Sequence, residues 1–147
     1  MKKQLNKNLI ERFSRQIILK NVGILGQKKI LSAKVLVVGA GGLGCPAVEF
    51  LTRAGIGTLG IVDYDKVSLS NLHRQSLYEK TDIGKSKVLI IKKILNRINP
   101  NTKVQSYNLK LNNINFKKII NKYDYIIDGS DNFKTKFLLN DFCLKYK

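Results

Sequence analysis

The chain has 147 residues, 44% of them hydrophobic and 25% charged, and carries a formal net charge of +17. One ordinary domain core fits in that length and two do not, and the balance is that of a globular protein rather than a disordered one. No apolar run reaches the roughly 18 residues that a membrane helix needs.

The start, Met1-Lys2-Lys3-Gln4, is charged and leads into no apolar stretch, so no secretory signal is expected. Cys45 and Cys143 lie far apart with no CxxC pair, which excludes a disulfide scaffold and a zinc site within this chain. A reducing, cytoplasmic setting is the expectation. The charge comes from 27 Lys and Arg against 10 Asp and Glu. An imbalance of that size can mark a nucleic-acid binder, but such a surface needs a clustered phosphate-binding face. Here the lysines are scattered. The 22 Lys, 14 Asn and 17 Ile residues all have codons made wholly of A and T. Base composition accounts for the charge, and no nucleic-acid partner is expected.

In chain order, Leu9, Phe13 and Ile17 are spaced as one helical face, which predicts a helix over 9–20. A short helix over about 24–32 follows. Lys34-Val-Leu-Val-Val38 reads as a buried parallel strand. Beyond the turn Gly39-Ala-Gly-Gly-Leu-Gly44, the residues Leu43, Ala47, Phe50, Leu51 and Ala54 mark a helix with Pro46 in its first turn. Gly55 and Gly57 end it. Thr58–Val62 is a second strand, and a polar connection runs over 63–83. Val88, Ile91, Leu95 and Ile98 mark a helix over 84–98, with Gly84 at its start. Lys103–Tyr107 is a third strand, 114–121 a short helix, 123–128 a fourth strand and 132–146 a last helix.

Alternating strands and helices predict an α/β fold: a Rossmann-like, doubly wound, mainly parallel sheet of order 3-2-1-4. It splits into an N-terminal helical segment, 1–33, and a nucleotide-binding domain, 34–147. The fourth strand then forms an apolar edge that needs a cover, so the fold is expected to continue beyond it.

The glycine turn follows a strand and opens a helix, the context of a phosphate-binding loop. Gly39 allows the tight turn, Gly41 and Gly42 let a phosphate approach the backbone, and Gly44 allows close helix–strand packing. Asp63 ends the second strand, where a ribose hydroxyl is held. Asp65, further along, is expected to cap the loop. The glycines and Asp63 suit NAD and ATP equally. The connection Ser70-Asn71-Leu72-His73-Arg74-Gln75 and the following Lys87 favour ATP, because attack at a triphosphate needs cations for developing charge. Asp131, at the end of the fourth strand, is placed to hold magnesium, while Ser130 and Asp131 both suit a helix N-cap.

Gly84-Lys85-Ser86 imitates the end of a P-loop, but Glu79 stands where that motif needs glycine. His73 has no second histidine to share a metal. Both cysteines are expected in the core.

Together, Arg12-Phe-Ser-Arg-Gln-Ile-Ile18, the glycine turn, Asp63-Tyr-Asp65, the 68–75 segment and Asp131-Asn132 resemble the ThiF/MoeB/HesA family, prokaryotic relatives of ubiquitin-activating enzymes. The resemblance runs from about residue 11 to Lys147. It implies ATP- and Mg2+-dependent adenylylation of the C-terminal glycine carboxylate of a ubiquitin-like sulfur carrier, in thiamine or molybdopterin synthesis, with release of pyrophosphate. Carried over, Gly39, Gly41, Gly42 and Gly44 form the phosphate cradle and Asp63 binds ribose. Ser70, Asn71, Arg74, Lys87 and Asn132 bind the nucleotide, and Asp131 holds magnesium. Arg15 enters the partner protomer's pocket, which implies a homodimer. Arg15, Arg74, Lys87 and Asp131 would be the catalytic set. Lys136 departs from the family's arginine, and the resemblance covers the nucleotide half only, so the C-terminal half of the family fold, with its zinc motifs, is expected to be absent from this chain. Two other readings remain: a non-catalytic remnant that binds nucleotide or carrier, and an NAD-dependent oxidoreductase, which leaves Arg74 and Lys87 unexplained.

Overall fold

The computed structural model describes residues 5–146; the charged start Met1–Gln4 and the terminal Lys147 lie outside the described residues. Four parallel strands, β1 (Lys34–Val38), β2 (Thr58–Val62), β3 (Lys103–Tyr107) and β4 (Tyr125–Asp128), form one sheet of order β3-β2-β1-β4. The register aligns Val37 with Ile61 on one side and with Ile127 on the other. The order matches the expected one.

Strand alternation builds two cores. Val35, Val37, Leu59, Ile61 and Val104 face one side, under Val48 of α4 (Gly44–Ala54) and Val88, Ile91 and Leu95 of α5 (Lys87–Ile98). Leu36, Val38 and Val62 face the other, under Phe116 and Ile120 of α6 (Asn113–Ile120) and Leu139 of α7 (Phe133–Tyr146). Each fully buried aliphatic side chain contributes about 1.5–3 kcal/mol. Gly60 interrupts β2 because the Tyr123 hydroxyl lies where its Cβ would be. That hydroxyl donates to Gln105 Oε1 at 2.9 Å, which satisfies its polar end inside the core.

Helical spacing predicts one helix over 9–20, but the chain forms two: α1 (Lys7–Arg12) and α2 (Ser14–Ile17). Phe13 breaks them. It is 1% exposed, and its ring packs against Gly55, where Cε1 would lie 2.8 Å from an added Cβ. Burying that ring sets the chain's direction over the helical pattern. Gly55 also closes α4 at φ +89°. Gln27, buried on α3 (Gly23–Ser32), donates to the Ala54 carbonyl at 3.0 Å, and Arg12 donates to the Ile98 carbonyl at 2.7 Å. The N-terminal helices are thus tied to the carboxyl ends of α4 and α5.

Three smaller expectations are corrected. α5 starts at Lys87, with Gly84 three residues earlier in a turn at φ +85°. β4 starts at Tyr125, because Tyr123 turns into the second core. Cys45 is fully buried, but Cys143 is only half-buried against that second core. Among the described residues, no helix is long and apolar enough to cross a membrane.

Candidate functional site

A cleft of about 520 Å³ opens at the carboxyl ends of β1, β2 and β4. This is the switch point of the sheet, where the chain leaves β1 towards β2 on one side and β4 lies on the other.

The glycine loop forms its floor. Gly39 sits at φ +95°, and a Cβ there would lie 2.6 Å from the Gly129 carbonyl oxygen. A Cβ on Gly44 would strike the Gly39 carbonyl, so the first turn of α4 folds back on its own loop. Gly41 and Gly42 face the cleft, and the aliphatic stem of Arg74 lies 3.6 Å from where a Gly42 Cβ would be. The loop therefore presents backbone, with the start of α4 behind it, to whatever anion enters.

Asp63 borders the cleft. Its Oδ2 accepts the Ala40 N–H and its Oδ1 the Asp65 N–H, both at 2.7 Å. Each oxygen keeps a lone pair for a ligand hydroxyl. Asp63, and not Asp65, is therefore the residue that caps the loop. Asp65 instead pairs with Lys87, Nζ to Oδ2 at 3.2 Å. Lys87 is 4% exposed and is the first residue of α5, where the helix dipole opposes a cation. An ammonium has three donors, and Asp65 takes one of those on Lys87, so an anion in the cleft can accept another.

Arg74 is braced from behind: Nη1 donates to the Ser70 carbonyl at 2.9 Å. On the opposite wall, Asn132 Oδ1 accepts the Thr135 N–H at 2.9 Å and so caps α7. Neither Ser130 nor Asp131, the expected caps, fills that role. Ser130 binds the Asp128 carboxylate at 2.6 Å, and Asp131 lines the cleft with its carboxylate exposed. Burial alone would raise the Asp128 pKa, but the hydroxyl and N–H of Ser130 and the Lys136 ammonium outweigh it and hold that carboxyl below the usual range. Lys136, 3.3 Å from Asp128 Oδ2, neutralises it and leaves Asp131 as the open carboxylate of this wall.

Of the residues singled out in the sequence, the cleft gathers Gly39, Gly41, Gly42, Asp63, Arg74, Lys87, Asp131 and Asn132. It does not gather Gly44, Ser70, Asn71 or Arg15. Gly44 shapes the loop from behind. Asn71 turns its side chain back to the Ser68 N–H at 3.2 Å, and the Ser70 hydroxyl pairs with that of Ser68 at 2.9 Å. Arg15 is exposed on α2 beside Gln16, which reaches the Ala54 carbonyl, so it lies at the far end of α4, about 15 Å along the helix from Gly44.

Sequence reasoning did not single out Leu109, Lys110 or Leu111, which also line the cleft. Leu109 and Leu111 form an apolar wall after β3, suited to a flat apolar group. Tyr64 carries the Lys110 ammonium 5.4 Å from its ring centre at the rim. A hydrophobic pair beyond a strand end was the available signal. Among the described residues, no group of three or more His, Cys, Asp or Glu side chains comes together to hold a metal unaided.

Fold and cleft together define a Rossmann-like α/β domain whose crevice pairs an apolar wall with a cationic, backbone-lined floor. The chain belongs to the ThiF family, whose model matches residues 13–147. It is 45% identical over 141 residues to the adenylyltransferase and sulfurtransferase MOCS3 of Anopheles gambiae, covering 96% of this chain and 32% of that protein. It is also 45% identical over 135 residues to the sulfur carrier protein adenylyltransferase of Thermus thermophilus, covering 92% of this chain and 50% of that one. The chain thus spans a third to a half of the length of these relatives. Among solved structures, it superposes on the tRNA N6-threonylcarbamoyladenosine dehydratase TcdA of E. coli in complex with AMP. That match has a TM-score of 0.90 at 26% identity and covers 97% of this chain and 58% of that one.

Proposed function

We propose that the chain is the nucleotide-binding part of an adenylyltransferase that activates the C-terminal carboxylate of a ubiquitin-like sulfur carrier. The observation that carries this reading is the convergence of buried Lys87, braced Arg74 and open Asp131 around a glycine loop. An ATP would lie with its base on Leu109 and Leu111, its ribose at Asp63 and its phosphates over Gly41 and Gly42. The named activities of the two relatives, and the AMP held by the E. coli dehydratase, support the same reading.

The carrier's carboxylate oxygen bonds to the α-phosphorus, the bond to the bridging oxygen of the β-phosphate breaks, and pyrophosphate leaves with the electron pair. No protein nucleophile is needed; positioning and charge suffice. Arg74 and Lys87 neutralise the charge that builds on the phosphate oxygens. Asp131 fits magnesium, because this ion needs only one or two carboxylates when phosphate oxygens complete its shell. When bound, it neutralises phosphate charge as a Lewis acid.

Arg15 enters as a trans residue. It is too far from its own cleft to act there, so the reading assigns it to the cleft of a second copy in a homodimer. A cytoplasmic location, where ATP is supplied, completes the reading.

The test is carrier-dependent exchange of labelled pyrophosphate into ATP, with candidate carriers of thiamine and molybdopterin synthesis. Arg74→Ala is expected to lower exchange by about 100-fold or more. Mixing Arg15→Ala with Lys87→Ala protomers is expected to restore part of the activity that each lacks. Undiminished exchange in Arg74→Ala would overturn the assignment.

A further inference from the structure

Tyr78 lies behind the glycine loop and outside the cleft. It is 6% exposed and packs in the first core. Its hydroxyl donates to the Ala40 carbonyl at 2.8 Å. The Cys45 thiol donates to the same carbonyl at 3.5 Å. On its other side, the Ala40 N–H is held by Asp63. Ala40 is wholly buried, so both its flanking peptides are fixed from within the protein.

The consequence follows from peptide geometry. In a trans peptide the C=O and the next N–H point in opposite directions. Holding the Ala40 carbonyl inward towards Tyr78 therefore turns the Gly41 N–H outward, and Gly41 lines the cleft. Glycine at 41 has no Cβ to resist rotation of that peptide plane, so the orientation must come from elsewhere. Tyr78 also couples the loop to the segment that carries Arg74: its N–H donates to the Gln75 carbonyl at 3.2 Å, directly after Arg74.

We infer that Tyr78 is a positioning residue, whose hydroxyl, seconded by the Cys45 thiol, locks the Ala40–Gly41 peptide so that the Gly41 N–H donates to the phosphate of a bound nucleotide. This rests on the nucleotide reading above and adds to it a residue that touches no ligand. Burial pushes the Tyr78 hydroxyl well above its usual range, so it stays protonated and remains a donor.

The test compares ATP with adenosine, which has the same base and sugar and no phosphate, on the full chain by titration with magnesium present. The variant is Tyr78→Phe, which keeps the ring and removes the donor. The preference for ATP over adenosine is expected to fall about tenfold, the worth of one hydrogen bond to a charged group, with adenosine affinity unchanged. A role confined to packing would lower the melting temperature and weaken both ligands alike. An unchanged preference therefore overturns the inference. Should Tyr78→Phe not fold, Cys45→Ala removes only the longer donor to the same carbonyl. A two- to threefold loss of preference then supports the inference, and an unchanged preference overturns it. A wild type that binds no ATP overturns the nucleotide reading itself, a result distinct from both.

Discussion

Lys87 Nζ lies 3.2 Å from Asp65 Oδ2 across the edge of the solvent, with the lysine side chain 6% exposed and the aspartate 49%. The lysine carries the desolvation cost and the aspartate does not. At the first residue of α5, the helix dipole adds to that cost. Lys87→Met should therefore leave the melting temperature of the ligand-free protein unchanged or higher, because solvent takes over Asp65. The same variant should weaken Mg-ATP binding at least tenfold, about 1.4 kcal/mol. Calorimetric titration and thermal melting read the two effects separately. A variant that melts several degrees lower and still binds ATP would show that Lys87 serves the fold.

Two glycines should respond very differently to alanine. A Cβ on Gly44 runs into the Gly39 carbonyl, which is backbone and cannot yield, whereas Gly84 has open space and only its φ of +85° to strain. Gly44→Ala should cost more than about 3 kcal/mol, and Gly84→Ala about 1 kcal/mol. Urea denaturation midpoints test the order, and equal losses would contradict it.

The lowered pKa of Asp128 fixes the sign of an acid effect. A carboxyl held below its unfolded value adds stability above that value, near 3.9. The contribution disappears as pH falls through the lower, folded value. Melting temperatures should drop less steeply below about pH 4 in Asp128→Asn than in wild type. Near neutral pH the variant should lose at most about 1 kcal/mol, because the Lys136 pair is partly exposed. Parallel acid limbs in the two proteins would remove Asp128 from the account.

Cys45 should be inert while the protein is folded. It is fully buried, and that burial pushes its thiol pKa up, although the Tyr78 hydroxyl partly offsets it. Mass spectrometry after iodoacetamide treatment near neutral pH should find Cys45 unmodified in the native state and labelled in urea. Complete native labelling would contradict this burial.

Much of the fold was legible because the signals were local. Three strands were short apolar runs bounded by glycine, aspartate or a charged residue, the third, Lys103-Val-Gln-Ser-Tyr107, was a weaker signal, and the parallel order followed from the alternation with helices. The glycine loop, Asp63 and Asp131 were legible because they follow strand ends directly, and Arg74 and Lys87 because they stand near those same ends and match the family's order of motifs. Contacts across the chain were not legible. Phe13 ends its helix to reach Gly55, 42 positions away. Asn132 replaces Asp131 as the cap of α7, a choice between neighbouring residues that composition cannot make. Asn71 turned from the cleft into a local turn, and Tyr78 reached Ala40 from a segment that read as polar connection.

The central claim is that the cleft between the glycine loop, Arg74, Lys87 and Asp131 is a Mg-ATP site. Its most direct measurement is thermal unfolding of the full chain and of Asp131→Ala with Mg-ATP and, separately, with NAD. Mg-ATP at 100 times its dissociation constant should stabilise the wild type by about 2.7 kcal/mol. NAD should have no effect, and Asp131→Ala should lose most of the Mg-ATP shift. A shift with NAD, or none with Mg-ATP in a protein that melts cooperatively, would contradict the account.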